Sequence, residues 1–425
     1  MTRLIAGLGA AAAFSAALSA QGLEGRIGTK AEGRIGVSFA GRPDVCGNGV
    51  SYLRVGTGGF GNGETMVMSS GDGTGQCEVG PIRVLLTRAD GQTVGVRVGA
   101  GAPRWPAGTA DLGLVSGPEA ARYFLAQAVK LDGRLGREML LPAVLADSAD
   151  IWRGLLDLAR NRTLSRGLRE SAAGWIGREL AAADPAAQRT MTGELTRLAQ
   201  DVDEPSAVRT RAVNALGQGD GNGTAALVGL ADSPDPSVSR SALSTLGRLS
   251  DPRARETLRR AAKNTTLAEP ARSEAIRALG GRDATGSDYA VLREIWASQT
   301  GAESRGNLLE ALGEAGGAEN MRWLLGVARD GSVAGQDRAR AVRAVARAGA
   351  STSELIKLYD EGQDRAVKES LLETLFRIGD RASIDKLITV AQTETDAAVR
   401  RSVVTRLART GDPRAKQVLK QVIEQ

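Results

Sequence analysis

Six cations stand at one fixed offset through the C-terminal half of this 425-residue chain: Arg209, Arg272, Arg305, Arg338, Lys368 and Arg400. Each lies seven residues before a recurring apolar anchor, and Ser239 interrupts the series at the equivalent place. Stacked repeats would align such a column. It would then do one of two things: present a basic stripe to an acidic partner or an anionic polymer, or pair internally with acids of neighbouring turns. The acids at hand are Glu204, Glu269, Glu303, Asp337, Asp364 and Asp396, each expected in the inter-helix turn preceding its cation. The internal ladder is the favoured reading, and under it neutralising two of the arginines lowers the melting temperature more than any binding.

Other chemistry finds little support. The chain has no histidine, which removes imidazole acid–base catalysis, His-paired Ser or Cys nucleophiles, and His-ligated metals. Gly56-Thr57-Gly58-Gly59-Phe60-Gly61 has the spacing of a dinucleotide fingerprint, but no helix follows to face a pyrophosphate. Gly71–Gly75 and Gly219–Gly223 lack the ligand count of a calcium loop. Glu119, Asp132 and Glu138 show no acid–base pairing by spacing. No cofactor or metal is expected, and the expectation is a non-enzyme. Basic residues without interleaved aromatics argue against nucleic acid.

The cations are positioned by a repeat. Its anchors are Leu216, Leu246, Leu279, Leu312, Val345, Leu375 and Leu407, at steps of 30, 33, 33, 33, 30 and 32 residues, and Gly follows each of the first four. A second column runs about twenty residues upstream of the anchors, at Leu227, Leu258, Leu292, Leu324, Leu355 and Leu387. Two amphipathic helices per period, neither able to bury its face alone, predict an α-solenoid. Asp235, Asp251, Asp380 and Asp412 stand as N-caps, and Gly281, Gly316, Gly349, Gly379 and Gly411 as helix stops. Aromatics make up only 3% of the chain, so the core must be Leu, Ala, Val and Ile. Trp296, Trp323 and Tyr359 are expected to be half-buried on helix faces.

Four segments follow. Residues 1–20 read as a secretory signal peptide: Arg3, an apolar run from Leu4 to Leu18, and Leu18-Ser19-Ala20 before the cut, with cleavage after Ala17 the competitor. Residues 21–115 have period two and read as a small Gly-rich β-domain. It contains the echo EGRIGTKA/EGRIGVSF and an Asp90-Gly91 hairpin turn. Its Cys46 and Cys77 are the only cysteines; export would pair them, closing a loop worth roughly 3–4 kcal/mol, whereas free or metal-binding thiols lack a CxxC spacing and a histidine partner. Residues 116–205 read as irregular helical repeats opened by a Ser116/Glu119 capping box. Residues 206–425 are the regular repeats, ending in a capping helix with Leu419 and Val422. No later segment is apolar enough to span a bilayer.

Asp412-Pro413-Arg414-Ala415, Val399-Arg400 and the Leu-Gly pairs resemble the HEAT and HEAT-like (PBS-lyase-type) repeat family over residues 118–425, most clearly from Val208 onward. The resemblance implies stacked helix pairs, Asp–Arg ladders between repeats, and a scaffold or adaptor that binds a protein partner. It does not extend to the N-terminal segment. The expected function is therefore an exported, non-catalytic protein-binding scaffold. The alternatives are an envelope protein holding an anionic polymer on the arginine column, or an enzyme with its site in or beside the β-domain.

Overall fold

The computed structural model describes residues 22–48, 52–55, 66–69, 77–101, 105–219 and 221–417. The signal-peptide reading, the loops at Gly56–Gly61 and Gly71–Gly75, and the columns at Leu419 and Val422 lie outside these residues. The chain forms two compact units, residues 1–249 and 250–425.

Among the described residues, the first unit shows a short helix, α1 (Leu23–Gly28), followed by eight strands. These are β1 (Gly33–Phe39), β2 (Val45–Gly47), β3 (Tyr52–Val55), β4 (Met66–Ser69), β5 (Glu78–Val79), β6 (Ile82–Ala89), β7 (Gln92–Ala100) and β8 (Thr109–Val115). One sheet has the order β7-β6-β1-β8, the other β4-β3-β2-β5. Asp90 and Gly91 both take positive φ, 49° and 72°, which is what a two-residue hairpin twisted like its strands requires. A disulfide joins Cys46 and Cys77. It staples β2 next to β5, where Cys46 faces Val79.

The period-two expectation fails at the first copy of the echo. Glu24-Gly25-Arg26-Ile27-Gly28 is helical, while the identical pentapeptide Glu32–Gly36 enters β1. Both isoleucines are buried, so burial does not choose between the conformations; the surroundings do. The first copy places Leu23 and Ile27 one helical turn apart on a buried side, and Glu119 accepts the Leu23 N–H at 2.8 Å. The second copy runs into Val37-Ser38-Phe39 and is paired on both edges, antiparallel to β6 and parallel to β8. Glu119 thereby caps α1 rather than completing a capping box at Ser116, whose hydroxyl still accepts the Glu119 N–H at 3.3 Å.

Three helix pairs follow: α2 (Gly117–Leu131) and α3 (Gly133–Leu145), α4 (Trp152–Arg160) and α5 (Arg166–Ala182), α6 (Pro185–Gln200) and α7 (Ser206–Leu216). A regular pair, α8 (Gly221–Leu230) and α9 (Pro236–Leu246), closes the unit. The expected boundaries at 115/116 and 205/206 do not separate compact units. The strands and first helices share one core: Phe39 packs on Phe124 at 6.0 Å between ring centroids, and Gly41 bridges Ala146 as a lone β pair. Arg42 pairs with Glu179 at 2.7 Å, and Arg178 with Asp44 at 2.8 Å.

Among the described residues the second unit contains five pairs. Its first helices are α10 (Pro252–Lys263), α12 (Gly286–Ile295), α14 (Ala318–Arg329), α16 (Thr352–Asp360) and α18 (Arg381–Thr393). Its second helices are α11 (Glu269–Leu279), α13 (Ala302–Ala315), α15 (Gly335–Arg347), α17 (Arg365–Ile378) and α19 (Ala397–Thr410). Every anchor and every member of the upstream column is buried. The Asp N-caps accept backbone N–H groups as the sequence implies: Asp235 from Ser237 and Val238, Asp251 from Arg253, Asp380 from Ser383 and Asp412 from Arg414.

The glycine after the anchor marks where successive second helices meet. A Cβ on Gly217 would lie 2.3 Å from Thr245 Cγ2, one on Gly280 2.2 Å from Ala311 Cβ, and one on Gly313 2.8 Å from Ala344 Cα. Leu-Gly is thus a packing motif: Leu fills the core within a repeat and Gly admits the next one.

Candidate interaction surface

The arginine column sits at the N-terminal turns of the second helices, and its members share one geometry. Arg209 donates Nε–H to the Ala199 carbonyl at 3.1 Å and pairs through Nη1 with Asp235, the N-cap of α9, at 2.8 Å. Arg338 donates to Ala328 O at 3.0 Å and pairs with Asp364, the N-cap of α17, at 2.6 Å. Arg305 donates to Gln299 O at 2.6 Å and pairs with Asp337 at 2.9 Å. Lys368 pairs with Glu394 at 2.9 Å. Each arginine of this kind therefore satisfies a carbonyl at the end of the preceding helix, one of the acceptors a helix leaves orphaned, and grips an acid of the following repeat.

The acids are one repeat further on than the spacing implied. Arg209 takes Asp235 and not Glu204; Arg305 takes Asp337 and not Glu303; Arg338 takes Asp364 and not Asp337; Lys368 takes Glu394 and not Asp364. An extended guanidinium directed along the stack reaches the neighbour's helix start, where the carboxylate already faces free N–H groups. Arg272 keeps the local partner, Glu269 at 2.6 Å, and the link to the next repeat passes through that acid, which accepts the Ser304 N–H at 3.1 Å. Ser239 retains only the carbonyl half, bonding Ala231 O at 2.5 Å. Arg400 is exposed and forms no ion pair among the described residues.

One rung was overlooked in the sequence. Arg169 donates to Ala159 O at 2.9 Å and pairs with Glu204, both side chains buried. It lies seven residues before Ile176, so the same offset applied to the irregular repeats would have found it.

The aromatics join this framework. Trp296 and Trp323 are half-buried and meet edge to face at 5.7 Å, with the Arg305 guanidinium 5.3 Å from the Trp296 ring centre. Tyr359 is buried; its hydroxyl donates to Glu394 at 2.6 Å, and burial followed by that carboxylate pushes its ionisation well above the usual range. Burial alone would raise the Glu394 carboxyl, but hydrogen bonds from Tyr359 and Lys368 hold it at about 2 instead of the ordinary 4.5. A depressed carboxylate stabilises the fold fully above its unfolded-state value and loses that contribution as pH falls toward its folded one. Glu394→Gln is therefore expected to destabilise at pH 7 and to do so progressively less between about pH 5 and pH 2. Urea unfolding of both proteins across that range checks it; a constant difference contradicts the assignment.

In the first unit a cleft of about 930 Å³ lies among residues 42–44, 147–153 and 178–191. Its charges are largely answered from within: Arg42 by Glu179, Arg178 by Asp44, Arg153 by Asp150, while Asp184 caps α6. Glu119 serves Leu23, Asp132 accepts the Ser165 N–H and hydroxyl, and Glu138 pairs with Arg134. Among the described residues no group of three His, Cys, Asp or Glu could hold a metal ion. No described helix is long and apolar enough to cross a membrane.

What remains is the side along which neighbouring second helices abut, where polar bonds run from buried groups such as Thr245 and Ser273 to exposed ones such as Arg347. In the first unit Ser241 and Thr245 on α9 both donate to Asn214 Oδ1 on α7, at 3.1 and 3.0 Å. In the second, Asn307 reaches Ser273 Oγ at 2.8 Å, Arg347 pairs with Glu310 at 3.1 Å, and Ser402 donates to Glu369 at 2.6 Å. These bonds tie neighbouring second helices to one another.

Comparison with known proteins bears on this architecture. Residues 193–280, 224–313 and 352–425 match the family model of HEAT repeats. No curated protein matches the chain. Among solved structures, human deoxyhypusine hydroxylase in complex with glycerol is 18% identical, with 56% of this chain and 96% of that one covered and a TM-score of 0.28. A structure of tubulin recruitment by microtubule polymerases with TOG domain arrays is 9% identical, covering 71% and 89%, at a TM-score of 0.26. An engineered protein is 20% identical, covering 65% and 97%, at 0.18.

Proposed function

Over residues 193–313 and 352–425 this chain belongs to the HEAT-repeat family, and from that premise we propose that it is an exported, non-catalytic scaffold binding a protein partner on its second helices. HEAT repeats form a scaffold capable of protein binding. The observation that carries the reading is the division of labour on those helices. Their N-terminal turns are occupied by the ladder, while further along the helices exposed polar and charged groups such as Glu310 and Arg347 face solvent above the inter-helix bonds. A preorganised surface binds at lower entropic cost than one that must order itself. Export is supported by Arg3, the Leu4–Leu18 run and Leu18-Ser19-Ala20, together with a disulfide. The lack of histidine and the self-paired cleft support a non-catalytic role. The polymer alternative is weakened because most of the cations it would use are already paired.

The test is affinity capture from the exported fraction with mature chain beginning at Gln21. A near-stoichiometric partner is expected with the unmodified chain. It should be lost with Arg211→Glu on α7 or Arg347→Glu on α15, and kept with Arg381→Glu on α18. Recovery of salt-sensitive polymer alone would overturn the reading.

A further inference from the structure

A groove of about 310 Å³ runs between α13 and α15, with Glu303, Gly306, Asn307 and Glu310 on one wall and Arg340, Arg343 and Arg347 on the other. The three arginines fall at i, i+3 and i+7 of α15, one stripe on one face, and Arg377 of α17 adds to their field. Like charges at such spacings destabilise a helix, so the stripe works against the fold that carries it.

Two of the arginines have counter-ions. Arg340 meets Asp337 at 3.2 Å and Arg347 meets Glu310 at 3.1 Å. Arg343, between them, has no carboxylate partner among the described residues; its one hydrogen bond is a 3.5 Å contact to the Ser370 hydroxyl. Its side chain is exposed along the groove, and partial desolvation, then Arg340, Arg347 and Arg377, pull its ionisation below the ordinary arginine range. No other second-helix arginine shows that combination among the described residues. The opposite wall has no side chain at Gly306: a Cβ there would have only the Arg340 guanidinium near it, at 3.7 Å. The groove is therefore open where a larger residue would close it.

We propose that this groove is the docking point for an acidic segment of the partner, whose aspartate or glutamate carboxylate becomes the counter-ion Arg343 lacks. A carboxylate accepts two donors from one guanidinium in a planar pair, and the neighbouring arginines strengthen the field that draws it in. The inference rests on the scaffold reading above and names the chemistry of the partner at one place on that surface.

The experiment measures fluorescence anisotropy of fluorescein-labelled hexaglutamate with the full mature chain at low salt. Arg343→Gln is expected to weaken binding by about tenfold or more, the loss of one charge-assisted pair. Gly306→Met, which fills the groove and favours the helix, should weaken it comparably, and neither should melt below the unmodified chain. Arg381→Gln, at the first residue of α18 and highly exposed, should change nothing. Equal loss from Arg343→Gln and Arg381→Gln overturns the groove in favour of a diffuse field, as does polyphosphate binding as tightly as the peptide. In the capture experiment, a partner lost with Arg211→Glu but retained with Arg343→Gln overturns the groove alone. A partner indifferent to every second-helix change overturns the scaffold reading itself.

Discussion

Replacing Glu204 by alanine is expected to destabilise the first unit by about 3–5 kcal/mol, the usual cost of leaving one member of a buried ion pair without its partner. Arg169 is 4% exposed and Glu204 5%, so neither charge can fall back on water. Arg169 would keep the Ala159 carbonyl through Nε but lose the acceptor at Nη2. Arg162 also touches Glu204, at 3.0 Å, but its side chain is 54% exposed and contributes little. The companion change separates pairing from packing. Arg169→Met together with Glu204→Leu should recover most of the loss, because an apolar pair of similar volume removes the desolvation cost of both ions. Urea unfolding of the three proteins reads this directly. A loss below about 1 kcal/mol for Glu204→Ala would place the pair among surface contacts.

Leu312→Ala is expected to cost about 2–5 kcal/mol, the transfer term plus the cavity a stiff stack cannot close. Leu312 is wholly buried on α13, and the next residue, Gly313, already lies against Ala344 of α15. The two helices have no slack with which to collapse on the void. Since repeats contact only their neighbours, loss of one interface weakens cooperativity along the unit. Ile378→Ala, at 42% exposure on the end of α17, should stay within about 0.5 kcal/mol. A Leu312 loss under half a kcal/mol would contradict the core register.

The helical repeat was readable because each helix has to bury a 3.6-period stripe, and that requirement writes itself into the spacing. Anchors and upstream column therefore landed in the core. The ladder was readable as a column but not in its pairing: sequence proximity favours Asp337 for Arg338, whereas the side chain points along the stack to Asp364. Direction along a fold is not encoded in local spacing. The two copies of Glu-Gly-Arg-Ile-Gly show the same limit more sharply, since identical residues become helix or strand according to what they pack against. The 115/116 boundary marks the change from strands to helices, but sequence could not show that ion pairs of Arg42, Asp44, Arg178 and Glu179 reach across it. Arg343 was hidden for a different reason. Its isolation from carboxylates belongs to the arrangement of α13, α15 and α17, and appears only when the helices are assembled.

The central claim is that the second helices carry a partner while their N-terminal turns hold the stack together. Hydrogen–deuterium exchange of the mature chain, free and in complex with the captured partner, tests it most directly. The account expects added protection in peptides from α13, α15 and α17 around Asn307, Arg343 and Glu373, with α14, α16 and α18 unchanged. Protection confined to those first helices, or to the cleft around Arg42 and Asp150, would contradict it.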